Sequence, residues 1–326
     1  MSIDTAFWCE ITEEGVCLLE YRGYDSLAAV PEEIACKPVV SLAPYVFSAH
    51  RNYHDRGHGD AFWWSPSAGR ISEKEAQEVP KVKGEVLTEL RLPAALKEVG
   101  AYGFYNCWNL KKLELYSTTL DWGPGVFTGC GAVEELLIHV DQSRKSCLKE
   151  ILSELRQTLR VTYDGPEKAR LIFSEFFEEA VENTPARILV TNTHGCGKEY
   201  RNAFVATQFQ FREYDSLFSQ IQIQEPEELV TELAMGRVRY PYELAENHCR
   251  QYLDYLTEHK DRAARKALEN HDIDGLIWLT EHLSWDREEL KNVIETAGRQ
   301  GNQAAVSYLM NRTAGQGNVK RRRFEL

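Results

Sequence analysis

Three histidines at four-residue steps, His50, His54 and His58, with Asp55 and Asp60 beside them, form the sharpest chemical constellation in the chain. On a helix that step would put all three imidazoles on one face, and neutral imidazoles sharing a face ligate zinc. Gly57 and Gly59 work against a helix here. A second stretch, Thr193-His194-Gly195-Cys196-Gly197-Lys198-Glu199-Tyr200-Arg201, gathers a thiol, an imidazole and two glycines. A cysteine nucleophile takes its base from across the fold rather than from two residues away. Gly197-Lys198 also lacks the upstream glycine and the following Ser or Thr of a phosphate loop. This reads as a glycine turn, with Tyr200 and Arg201 either packed on the helices or offered for binding. A third stretch, Phe62-Trp63-Trp64 running into Ser65-Pro66-Ser67-Ala68-Gly69, reads as an aromatic strand entering a turn. Its rings are contact candidates, or they cap a neighbouring core. No Ser-His-Asp or paired-carboxylate arrangement stands out, so no catalytic residue and no cofactor are assigned.

The elements that must position these residues are set by a repeat. Leu87, Leu90, Leu92, Val99, Gly100, Phe104 and Cys107 recur 23 positions later as Leu110, Leu113, Leu115, Trp122, Gly123, Phe127 and Cys130, and Val133, Leu136 and Ile138 begin a third copy. A period in the twenties marks a solenoid, whose units are too small to bury an apolar face alone and stack to share one core. A diverged first copy runs from Val16 to His50: Val30-Pro31 parallels Leu92-Pro93, and Leu42 to Phe47 parallels Val99 to Phe104, with a small insertion around Ile34 to Pro38. The period then breaks, which places an insertion at 51–86. Leu90 and Leu92 alternate as a strand does, Pro93 and Gly100 turn the chain, and Phe104 fills the space between layers.

The unit resembles the BspA-like branch of the leucine-rich repeats, a short L-x-x-L-x-L strand and Pro followed by I-G-x-x-A-F-x-x-C. Val99 to Cys107 and Trp122 to Cys130 carry the second half, with Gly103 and Val126 at the Ala position. The resemblance covers about residues 16 to 140. It implies a curved stack of short parallel strands with turns or short helical segments behind, and it brings no catalytic residues.

Beyond Val140, the spacing of Leu148, Ile151, Leu152 and Leu155 predicts a helix and Arg160 to Tyr163 a strand, together closing the solenoid. Gly165-Pro166 is read as a boundary opening an all-helical domain over 165–315, with Leu171, Ile172, Phe176, Phe177, Ala180 and Val181 on the apolar side of its first helix. Helices are expected after Pro226 and Pro241. Ala267, Asp272, Leu276 and Leu279 return at a spacing of 30 as Ala297, Asn302, Val306 and Leu309, which is similar to two ankyrin-type helix pairs over about 262–311. Residues 316–326 form a basic tail.

A chain of 326 residues, 43% hydrophobic and 27% charged, is ordinary globular material. A net charge of -12, with Lys320 to Arg323 the one basic run, argues against nucleic-acid partners. Eight scattered cysteines without C-x-x-C pairs point to free thiols. No signal-like start or bilayer-length apolar run is present in the sequence, so a cytoplasmic protein without membrane contact is expected. The fold class expected is an α/β leucine-rich repeat solenoid over 1–164 followed by a helical domain. The function expected is a non-enzymatic scaffold for a protein partner. The alternatives are a metal-dependent enzyme using His50, His54 and His58, and adhesion at a cell surface.

Overall fold

The computed structural model describes residues 3–48, 60–141, 145–183 and 188–321. Two hydrogen-bonded sheets run through its first part, and three successive coils of chain contribute one strand to each of them.

Strands β1 (Thr5–Ile11) and β2 (Val16–Gly23) form an antiparallel hairpin. The first coil then supplies β3 (Leu27–Ala29), β4 (Glu33–Ile34) and β5 (Lys37–Leu42). The insertion around Ile34 to Pro38 is the tight β4–β5 hairpin, with Ala35 and Cys36 at positive φ. β6 (Phe62–Ser65), β7 (Gly69–Ile71) and α1 (Glu73–Gln77) fill the second half of the break in period, and β6 pairs with β1 instead of joining the repeat ladder. Ser72 and Glu75 start α1 with a reciprocal capping box.

The regular coils give β8 (Glu89–Arg91), β9 (Glu98–Val99), β10 (Lys112–Tyr116), β11 (Asp121–Trp122) and β12 (Glu135–His139). After α2 (Leu148–Glu154) come β13 (Leu159–Asp164) and β14 (Lys168–Phe173). One sheet has the order β14-β13-β12-β10-β8-β3, parallel except for β14. The other runs β11-β9-β5-β2-β1-β6-β7, parallel from β11 to β2 and antiparallel beyond.

The 23-residue step is the register of this ladder. Leu90, Leu113, Leu136 and Val161 occupy one row and are all buried, and Phe47, Phe104 and Phe127 stack behind them at centroid distances of 6.0 and 5.5 Å. The Cys107 thiol donates to the carbonyl of Phe47 and the Cys130 thiol to that of Phe104, so each ties its coil to the one before. A hydrogen bond with Cys130, together with burial, pushes the Cys107 thiol far up, and burial pushes Cys147 up to about 12. All eight cysteines are free thiols. Glycine is required at the repeated position because coils touch through their backbones there: a Cβ on Gly123 would lie 2.4 Å from the backbone nitrogen of Ala101, and one on Gly100 2.4 Å from that of Pro44.

The helix expected from Gly165-Pro166 is not formed. Its first part is β14, and its second is β15 (Phe177–Asn183), which pairs antiparallel with β16 (Ile188–His194). Gly165-Pro166 lies in the turn between β13 and β14. The apolar residues of 169–173 satisfy a strand as well as a helix, and the edge of β13 pairs with six residues of this segment in antiparallel register. α3 (Gly197–Arg201), β17 (Phe204–Val205), β18 (Gln208–Phe209) and α4 (Phe211–Ser216) follow. The Tyr214 hydroxyl bonds both the N–H and the C=O of Ile172 at 2.8 Å, covering the outer edge of β14.

The chain divides into two compact units, Met1–Tyr214 and Asp215–Leu326. The division falls well beyond Gly165-Pro166, because the strands after that point belong to the first unit. The second unit contains α5 (Phe218–Gln224), α6 (Glu227–Arg239), α7 (Glu246–Glu258), α8 (Lys260–Glu269), α9 (Ile273–His282), α10 (Arg287–Arg299) and α11 (Gln303–Arg321). The spacing of 30 reflects equivalent helix starts: Asp272 accepts from the N–H of Gly275 and Asn302 from that of Ala305.

Candidate functional site

The alternation that turns Leu113 and Leu115 inward turns Lys112, Glu114 and Tyr116 outward, and the parallel register copies this across the sheet. One outward row reads Glu89, Lys112, Glu135, Arg160; the next reads Arg91, Glu114, Leu137, Thr162, Arg170; the third reads Tyr116, His139, Asp164, Lys168. Lys112 pairs with Glu135 at 3.4 Å, Arg91 with Glu114 at 3.3 Å and Lys168 with Asp164 at 2.9 Å. The Leu137 side of this face is a groove of about 310 Å³ lined by residues of five strands, among them Arg91, Glu114, Arg160 and Arg170. In a chain with a net charge of -12, this face mixes both signs in fixed rows.

His139 ties three strands together. Its Nε2 lies 3.0 Å from Glu114 on β10 and its Nδ1 3.1 Å from Asp164 on β13, while its ring packs on Tyr116 with a centroid distance of 4.8 Å. Only the imidazolium donates from both nitrogens; the neutral ring keeps one of the two bonds. The carboxylates stand on opposite sides of the ring, so the three groups do not converge on one point. Among the described residues no group of three His, Cys, Asp or Glu side chains is placed to hold a metal ion.

The hydrogen bond from Lys168 holds the Asp164 carboxyl below the usual carboxylate range, assisted by His139. Burial, with Glu32 and Glu114 nearby, raises the Tyr116 hydroxyl. A carboxyl held low in the folded state stabilises the fold fully above the unfolded-chain value, and loses that contribution as pH falls through the folded one. Wild type is therefore expected to exceed Asp164→Asn in urea midpoint at neutral pH, with the gap closing in acid. A gap that stayed constant down to the lowest pH at which the chain folds would contradict this assignment.

His50, His54 and His58 lie outside the described residues. Trp63 is buried in a small core with Ala6 and Ala76 and stacks on Trp8 at 6.3 Å; Trp64 packs on Phe7 at 5.9 Å. Phe62 is half-buried, with the Arg70 guanidinium 4.2 Å from its centroid, at a groove of about 450 Å³ that Trp8, Ile71 and Glu73 also line. Tyr200 is fully buried against Tyr214, 4.7 Å between centroids. Arg201 is buried and donates to the carbonyls of Leu155, Gln157, Ser174 and Gly197, gathering the ends of α2, β14 and α3; burial holds its guanidinium down to about 10. The glycines of that motif serve close packing: Gly195 has φ +82, and a Cβ on Gly197 would lie 2.0 Å from the Ser174 carbonyl. The thiol of Cys196 is buried and 3.4 Å from the Ser174 hydroxyl. The outward rows match no chemical motif, although the period holds their signal: Arg91, Glu114 and Leu137 are 23 apart, as are Tyr116 and His139.

The ladder, its step and its buried Leu, Phe and Cys positions define the class: an α/β leucine-rich repeat solenoid followed by a helical unit. No family model matches the chain, and no curated protein matches it. Solved structures similar to part of it include a leucine-rich repeat protein from Bacteroides ovatus, 17% identical over 43% of this chain and 31% of that one, with a TM-score of 0.28. A leucine rich cell surface protein from Faecalibacterium prausnitzii is 14% identical over 49% of this chain and 40% of that one, TM-score 0.26. The leucine rich repeat protein of T. pallidum is 14% identical over 49% of this chain and 81% of its own, TM-score 0.19. The matched part spans well under half the length of the first two. None of these comparisons supports the ankyrin resemblance. Among the described residues no helix is long and apolar enough to cross a membrane.

Proposed function

We propose that this chain is a non-enzymatic, BspA-like protein-interaction scaffold whose contact surface is the outward face of the parallel ladder. The observation that carries this reading is the set of fixed rows around Leu137, where paired charges, Tyr116 and His139 surround a half-exposed apolar centre on a rigid sheet. Such a surface suits a protein partner, because interfaces join a small apolar centre to a polar rim. Phe62 is kept as a second contact candidate, while Tyr200 and Arg201 act in packing.

The test is photo-crosslinking in a lysate of the source cells, with benzoylphenylalanine at Leu137 on the ladder or at Trp108 on an exposed turn. One defined adduct from position 137, lost when Glu114→Lys is added and absent from position 108, is the expected result. Equal or stronger crosslinking from position 108 would defeat the reading.

A further inference from the structure

Strands β15 and β16 form a two-stranded ribbon. They pair in register from Phe177↔His194 to Asn183↔Ile188, and no third strand joins either side among the described residues. Residues 177–180 and 191–194 are exposed, with Phe177 at 60%. A two-stranded ribbon is marginal in water by itself, and its unpaired backbone groups are a template for another strand.

The two edges differ in sequence. β15 carries Glu178, Glu179 and Glu182, the kind of charge that guards a natural edge. β16 reads Ile188-Leu189-Val190-Thr191-Asn192-Thr193-His194, with no Asp, Glu, Lys, Arg, Pro or Gly and with four β-branched residues. That is the composition of a strand that pairs readily. We propose that the outer edge of β16 binds β16 of a second copy of this chain, antiparallel about a two-fold axis, giving a four-stranded sheet across the dimer.

Self-pairing follows from charge and symmetry. A two-fold contact sets each residue against its own symmetry mates. About an axis at Thr191, the centre of the strand, β16 opposes only its own apolar, Thr, Asn and His residues, whereas β15 against β15 about its centre would oppose Glu178 and Glu182, which destabilises a cross-strand pair.

The test uses the full chain in sedimentation over a concentration series. Wild type and Glu179→Lys are expected to dimerise, and Thr191→Lys, which sets like charges across the axis, is expected to stay monomeric with an unchanged circular dichroism spectrum. In parallel, Val190→Cys, Thr191→Cys and Asn192→Cys are oxidised singly in a Cys36→Ser background, and at least one is expected to give a covalent dimer. A wild type that is monomeric throughout overturns the proposal, as does a dimer that survives folded Thr191→Lys. If Thr191→Lys fails to fold, the cysteine series decides: no covalent dimer from any of the three positions overturns the proposal.

Discussion

Replacing Phe104 by Ala is expected to lower the stability of the solenoid by about 3–5 kcal/mol, the usual loss on emptying a buried aromatic site. Phe104 has no exposed surface and lies between Phe47 and Phe127, so its ring fills the space that three successive coils share. Its own N–H bonds the Val126 carbonyl and its carbonyl accepts from the Cys130 thiol, which fixes the backbone and limits collapse around the cavity. The loss is read from urea unfolding combined with amide exchange of β10 and β12, whose slowest protons should exchange faster in proportion. A loss under about 1 kcal/mol, no more than an average point substitution costs, would show that the aromatic stack is not the shared core.

Asp215→Ala is expected to cost the helical unit a comparable amount, about 3–5 kcal/mol, because it strands a buried guanidinium. Asp215 and Arg237 are both fully buried and paired through two bonds of 2.7 and 2.9 Å. The Tyr252 hydroxyl donates to the same carboxylate at 2.9 Å, and Arg237 also donates to the carbonyls of Tyr240 and Tyr242. The network therefore joins Asp215, at the end of α4, to α6, α7 and the connection between them. Exchange of the α6 and α7 amides reports it. The double variant Asp215→Leu with Arg237→Met is expected to recover most of the loss, since apolar groups of similar volume replace a buried pair at little cost. No recovery in the double variant would point to helix packing instead of the stranded charge.

The residues that made the repeat visible are those that had to be alike. Leu90, Leu113 and Leu136 occupy the same row of one ladder, and Gly100 and Gly123 meet the same backbone clash, so one physical requirement recurs at one spacing. The core was legible for that reason. The outward rows were harder to see, because solvent places no common demand on Arg91, Glu114 and Leu137, and their kinship is positional rather than chemical.

The sequence by itself determined the coil: its length, its inward residues, its turning glycines and the equivalent helix starts at Asp272 and Asn302, since each depends on neighbours a few residues away or one period away. Only the tertiary structure decided the rest. Residues 168–173 became a strand because the edge of β13 was open beside them. Arg201 became buried because carbonyls from two distant stretches, Leu155 with Gln157 and Ser174, converge on its guanidinium, and Tyr200 because it packs on Tyr214. His139 came to lie between Glu114 and Asp164 because adjacent strands bring residues 25 apart in sequence within a hydrogen bond of each other. Spacing fixes what one coil repeats, and hydrogen bonding between coils fixes which side chains meet.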